Sequence, residues 1–251
     1  MKIRKLPPLL LTVLSLMTVT GVSAYNFLFI GDSITDGNWG NPKGWPCPSE
    51  NRNSADRNHV YGHGYAEMSI GRLASQNPDT TVRYYNRGIS GNTLPQMAER
   101  WEKDAMSLNP DIISILIGTN DVHAALKRGE TIDYTAWEAT LDSLLTLSRE
   151  RNPQVRLMLG TPFTARVGKV GASPAYEDGL EMTHRLAEVI RRVAARHGAT
   201  LVPFDVLVEK LTSDTSAVPP SYWIWDGIHP TTPCHTLMSD LWLEKYAAES
   251  E

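Results

Sequence analysis

Phe27-Leu28-Phe29-Ile30-Gly31-Asp32-Ser33-Ile34-Thr35-Asp36-Gly37 is the stretch from which the fold is read. Four apolar residues run directly into Gly-Asp-Ser. A short apolar run closed by glycine predicts a buried strand of a parallel sheet. Ser33 then stands just past the carboxyl end of that strand, the edge at which ligands bind in open α/β sheets. Two roles fit a serine there: a nucleophile, or the cap of the helix that follows.

Working outward, the chain alternates strands with helices. Tyr61 to Ser75 reads as a helix and Thr81 to Asn86 as a second strand, ending in Arg87-Gly88-Ile89-Ser90-Gly91. A helix from Leu94 to Ser107 stops at Asn109-Pro110. Asp111 to Ile117, nearly all apolar and β-branched, predicts a central strand ending in Gly118-Thr119-Asn120-Asp121. A helix from Thr135 to Arg151 precedes a fourth strand, Val155 to Leu159. The long helix Tyr176 to His197 stops at Gly198. Thr200 to Phe204 is a fifth strand, a polar loop follows, and a last helix runs from about Cys234 to Ala248. This alternation predicts one α/β domain over residues 25–251, with a five-stranded parallel, doubly wound sheet.

Composition bounds the rest. A 251-residue chain with 41% hydrophobic and 21% charged residues can bury one sizeable core. The formal net charge is −4 and no basic stripe is present, which argues against a nucleic-acid partner. Lys2, Arg4 and Lys5 precede an apolar run, Leu9 to Met17, too short to span a bilayer, and Val22-Ser23-Ala24 supplies a small-residue cleavage pattern. Residues 1–24 therefore read as a secretory signal peptide cut after Ala24, leaving no transmembrane segment in the mature chain. The two cysteines, Cys47 and Cys234, form either a disulfide or two buried thiols.

In a parallel sheet the first three strand ends share one edge, so Ser33, Gly88 and Asn120 converge there. Asp226-Gly227-Ile228-His229 adds an acid and an imidazole at i, i+3 spacing. Acyl transfer needs these residue types. A hydroxyl is a weak nucleophile until a base takes its proton. His229 is the candidate base, with an ordinary pKa of about 6.5. Asp226 is the candidate anion that orients it. The backbone N–H groups of Ser33 and Gly88 and the Asn120 amide are candidate donors to a developing oxyanion. Each piece also has a plain structural reading: Gly88 and Asn120 as turn residues, Asp32 and Asp36 as loop-ordering acceptors. The Pro-rich loop from Gly37 to about Asn58 carries Trp39 and Trp45, which either line a substrate cleft or pack the loop onto the domain. Trp225 either stacks on a sugar ring or wedges the Asp-His turn in place.

Four ordered blocks, Gly31-Asp32-Ser33, Gly88, Gly118-Thr119-Asn120-Asp121 and Asp226-Gly227-Ile228-His229, resemble those of the SGNH (GDSL) hydrolases. Within that family, Asn86 to Thr93, Arg100-Trp101-Glu102-Lys103-Asp104 and Trp225-Asp226 resemble the acetylxylan-esterase-like carbohydrate esterase branch. The resemblance implies a flavodoxin-like three-layer α/β/α sandwich without a metal or other cofactor. It implies Ser33 as nucleophile, His229 as base, Asp226 as its partner, and Gly88 and Asn120 as oxyanion donors. The expected substrate is an acetylated carbohydrate such as xylan. A lipid ester is the rival within the family, and a metal-dependent phosphoesterase or a catalytically dead sugar-binding module are rivals from other classes.

Overall fold

A computed structural model of the chain describes residues 25–37, 63–76, 78–213 and 215–248. The predicted signal peptide, Trp39, Trp45 and Cys47 lie outside the described residues.

Five parallel strands form one sheet in the order β2-β1-β3-β4-β5. They are β1 (Asn26–Gly31), β2 (Arg83–Gly88), β3 (Ile112–Leu116), β4 (Arg156–Gly160) and β5 (Thr200–Val202). Alternate side chains of each strand go to opposite faces, as a period of two requires. Leu28, Ile30, Ile113, Ile115, Leu157 and Leu159 join one buried cluster. Phe27, Phe29, Ile112, Leu116 and Met158 join another.

Helices cover both faces. On the first lie α3 (Leu94–Glu99), α4 (Trp101–Asp104), α5 (Thr119–Arg128), α6 (Tyr134–Arg151) and α8 (Tyr176–His197). On the second lie α1 (Ser33–Asp36), α2 (Tyr65–Gln76), α9 (Phe204–Thr212) and α10 (Thr232–Ala248). A short α7 (Gly168–Gly171) sits beyond the sheet edge. The result is a three-layer α/β/α sandwich. Trp242 of α10 illustrates how a layer is fixed: it is fully buried, tilted against Phe29 at 4.9 Å, and its Nε1–H donates to Ser114 Oγ at 2.9 Å. Truncating a buried tryptophan typically costs about 3–5 kcal/mol.

β1 is flanked by β2 on one side and β3 on the other. The chain leaves β1 to build one half of the sheet and crosses back to build the other. That reversal opens a crevice at the carboxyl end of β1, where Ser33 stands.

Three elements differ from the sequence expectation. The predicted helix Leu94 to Ser107 is broken into α3, α4 and a 3-10 turn at Met106–Leu108. The break falls at Arg100, whose guanidinium turns back to the strand ends: Nη2–H donates to Gly31 O at 3.2 Å and Nη1–H to Arg87 O at 2.8 Å. Helix α5 begins immediately after β3, so Asn120 lies in a helical first turn rather than a loop. The polar loop read after the fifth strand contains α9, which buries Phe204 and Val208 one turn apart.

Candidate active site

Ser33 is the first residue of α1, not its cap. Asp32 is the cap, and its Oδ1 accepts from the Ile34 N–H at 3.0 Å. The hydroxyl of Ser33 is thereby released from capping. Its Oγ lies 2.9 Å from His229 Nε2.

Asp226 builds the turn that presents His229. Its Oδ1 accepts from the backbone N–H groups of Ile228 at 3.0 Å and His229 at 2.8 Å, while Oδ2 lies 2.6 Å from His229 Nδ1. One carboxylate thus shapes the loop and orients the ring, which accounts for the i, i+3 spacing. Burial raises the Asp226 pKa, but the bonds from the His229 ring and from the two backbone amides outweigh it and hold the carboxyl below its ordinary value. An ionised Asp226 keeps the proton on Nδ1 and leaves the Nε2 lone pair facing Ser33.

Ser33, Asn120, His229, Trp225, Ser90 and Gly91 line an open cleft of about 810 Å³. Asn120 Nδ2 donates to Asn92 O at 3.1 Å, and Asn92 Oδ1 accepts from Arg100 Nε at 2.8 Å. One amide hydrogen anchors Asn120 and the other remains for a ligand. Trp225 is 62% exposed and stacks on the His229 ring, with centroids 5.7 Å apart and planes at 22°. It is a rim residue and not a core wedge.

Gly88 is placed differently from expectation. It remains in the sheet, in register with Gly31, and its N–H donates to Asn86 Oδ1 at 2.9 Å. A Cβ at this position would meet Asp36 N at 2.3 Å, so Gly88 is the seat on which α1 packs. Gly91, three residues further on, is on the cleft wall instead. Its φ of +84° is one that L side chains rarely adopt. Strand β2 runs through Gly88, so of the two glycines in Gly88-Ile89-Ser90-Gly91 it is the second that lies beyond the strand end and on the cleft.

Asp32, Asp36 and Asp121 are buried behind the cleft. Asp36 Oδ2 accepts from Ser90 Oγ at 2.6 Å. Asp121 accepts from the Leu94 N–H, starting α3, and from Trp137 Nε1 at 3.0 Å. These are the loop-ordering roles expected of Asp32 and Asp36, and Asp121 shares them. His235 is buried and Nδ1 accepts from the Tyr65 N–H at 3.2 Å, satisfying an amide at the start of α2. Among the described residues no three His, Cys, Asp or Glu side chains are grouped to hold a metal ion, and no helix is long and apolar enough to cross a membrane. Cys234 is buried.

A hydroxyl, an imidazole and a carboxylate in sequence, beside an amide donor at the crevice of a parallel α/β sheet, are equipped for acyl transfer, and the molecule is a carboxylic ester hydrolase. The chain belongs to the GDSL-like lipase/acylhydrolase family, whose family model matches residues 29–237. It is 30% identical over 240 residues to acetylxylan esterase of Geobacillus stearothermophilus, covering 90% of this chain and 96% of that protein. The crystal structure of that bacterium's acetylxylan esterase Axe2 superposes with a TM-score of 0.69 at 28% identity, over 89% of this chain and 94% of the other. A crystal structure from Parabacteroides merdae, described as a GDSL-like lipase, gives a TM-score of 0.75 at 32% identity, over 89% and 95%.

Proposed function

We propose that this protein is an exported serine esterase that removes acetyl or other short acyl groups from carbohydrate. Ser33 is the nucleophile, His229 the base and Asp226 its orienting anion. The observation that carries this reading is the pair of contacts along one line, 2.9 Å from Ser33 Oγ to His229 Nε2 and 2.6 Å from Nδ1 to Asp226 Oδ2.

The steps follow from the geometry. Ser33 Oγ adds to the ester carbonyl carbon as its proton passes to His229 Nε2. The resulting oxyanion accepts hydrogen bonds from the Ser33 N–H, the Gly91 N–H and Asn120 Nδ2. Gly91 replaces Gly88 in this set because Gly88 already has an internal acceptor. Collapse breaks the bond to the leaving alcohol, which takes the proton from His229, and acyl-Ser33 remains. Water then adds to the acyl carbon, losing its proton to His229; the carboxylic acid departs and Ser33 recovers its proton.

Carbohydrate is favoured by the acetylxylan esterase among the relatives and by the exposed ring of Trp225 beside the base. Amphipathic rings at such rims stack on apolar sugar faces. Export rests on the positive, apolar and small-residue order of residues 1–24. The test is acetate release from a panel of acetylated glycans, with nitrophenyl esters of increasing acyl length alongside. Ser33→Ala is expected to lose at least about 10³-fold in turnover while remaining folded. Substantial turnover by that variant, or rates that rise with acyl length while the glycans are left untouched, would refute the proposal.

A further inference from the structure

At the carboxyl ends of β1 and β2, one guanidinium ties together the chain segments that carry the oxyanion donors. Arg100 Nη2–H donates to Gly31 O at 3.2 Å, two residues before Ser33. Nη1–H donates to Arg87 O at 2.8 Å, near the end of β2. Nε–H donates to Asn92 Oδ1 at 2.8 Å. Asn92 follows Gly91 directly and closes the turn that holds it, its N–H donating to Ile89 O at 3.1 Å. Gly91, with φ of +84°, supplies the positive φ that the third position of a type II turn requires. The carbonyl of the same Asn92 accepts from Asn120 Nδ2 at 3.1 Å. Ser90 pins the other side of the turn, donating to Asp36 Oδ2 at 2.6 Å. The Arg100 side chain is 13% exposed and pairs at 2.8 Å with Asp104, itself 5% exposed.

We propose that Arg100 is the positioning residue of the oxyanion site: acting through Asn92, it sets where the Gly91 N–H and the Asn120 amide point. This rests on the reading of Ser33, His229 and Asp226 given above. Asn92 is the joint. Its side chain is held by Arg100, its N–H shapes the Gly91 turn, and its carbonyl anchors the Asn120 amide. A shift of Asn92 therefore moves two donors at once. A planar guanidinium suits this task, because its N–H groups leave in fixed directions and reach several acceptors together; a single ammonium does not. Asp104 balances the charge, so that the cation can be placed behind the cleft. Stability alone does not call for such a pair, since desolvation offsets much of the attraction and apolar residues of equal volume serve as well. What the pair supplies is fixed geometry. Oxyanion stabilisation depends on donors that are already in place when the charge develops.

The experiment compares Asn92→Ala, Arg100→Lys and the double variant on nitrophenyl acetate. A small alkylboronic acid, which forms a tetrahedral adduct with an active serine, is the second probe. Asn92→Ala keeps the backbone N–H and carbonyl of position 92 and loses the hold of Arg100. It is expected to lower kcat by about 30- to 100-fold with KM within about threefold, the signature of misplaced donors. Boronic-acid binding is expected to weaken in step with kcat/KM, to within about threefold. Arg100→Lys is expected to lose at least as much, and the double variant no more than Arg100→Lys alone, because both break the same link. Thermal unfolding checks that the variants are folded, and Asn92→Ala decides the matter if Arg100→Lys is not. A folded Asn92→Ala with kcat within about tenfold of wild type, boronic-acid binding that does not weaken, or losses that multiply in the double variant overturns the proposal. If Ser33→Ala is inactive while Asn92→Ala and Arg100→Lys behave as wild type, this inference alone falls; an active Ser33→Ala removes the reading beneath it.

Discussion

The Ser33 hydroxyl and the His229 ring meet at 2.9 Å although 196 residues separate them. Ser33 is held by a strand end and the Asp32 cap, His229 by a turn folded around Asp226. Neither position depends on the other, so the contact is set by the scaffold before any substrate arrives. Preorganisation of this kind removes a reorientation cost from each turnover.

Asp226→Asn tests the orienting half of that contact. The asparagine Oδ1 can still accept from Ile228 and His229, so the turn survives. Its amide, however, donates toward Nδ1 and drives the ring proton to Nε2, where Ser33 needs a lone pair. The expected loss in kcat is about 10³- to 10⁴-fold, with KM changed little. Steady-state kinetics with parallel thermal unfolding read this directly. A variant within tenfold of wild type would mean that His229 needs no anion.

The two glycines of the second strand end separate fold from chemistry. Gly88→Ala drives a methyl into the α1 backbone, with Asp36 N only 2.3 Å away. Overpacking of this kind typically costs about 1–3 kcal/mol, which appears as a fall of several degrees in Tm. Gly91→Ala meets nothing within 4 Å, yet its φ of +84° resists a side chain. Its stability is expected to change by about 1–2 kcal/mol through backbone strain. The rate is expected to fall by about 10²-fold as one oxyanion donor shifts. The opposite pattern, a stable but inactive Gly88→Ala beside a fully active Gly91→Ala, would return the donor role to Gly88.

What the sequence could and could not disclose follows from the range of the interactions. Ser33, Asp226 and His229 were legible because each sits in a local motif, a strand end or an i, i+3 turn. The sheet was legible because buried parallel strands are continuous apolar runs. Helix α5 was not, because Thr119-Asn120-Asp121 carries its meaning in distant partners: Asp121 binds Leu94 and Trp137. The break at Arg100 was hidden for the same reason, since its guanidinium is held by Gly31 O and Asn92 Oδ1. Helix α9 buries Phe204, Asp205 and Val208 and packs Leu207 and Leu211 on the same cluster, but it stands between Pro203 and a polar segment, and the polar signal dominated. Gly91 was not singled out, because where β2 ends is a property of its pairing with β1 and not of one strand read alone.

Asp32 offers a prediction about stability. It is fully buried; Oδ1 caps α1, and Oδ2 has no hydrogen-bond partner among the described residues. Burial, with the charges of Asp121 and Asp36 adding to it against the Ile34 N–H, raises its pKa from 3.8 to about 7. The sign then follows from linkage. Below pH 3.8 folded and unfolded states are both protonated and Asp32 costs nothing. Between pH 3.8 and 7 the unfolded chain releases the proton while the folded chain keeps it, so stability declines as pH rises, and the loss is complete above about pH 7. A displacement of about three units corresponds to about 4 kcal/mol. Asp32→Asn retains an oxygen for the Ile34 N–H and carries no charge. It is therefore expected to match the wild type in Tm near pH 4 and to exceed it by several degrees at pH 8. Equal thermal stability of the two proteins at both pH values would show that Asp32 is ionised in the folded state at no cost, and that Oδ2 is not the unpaired oxygen seen here.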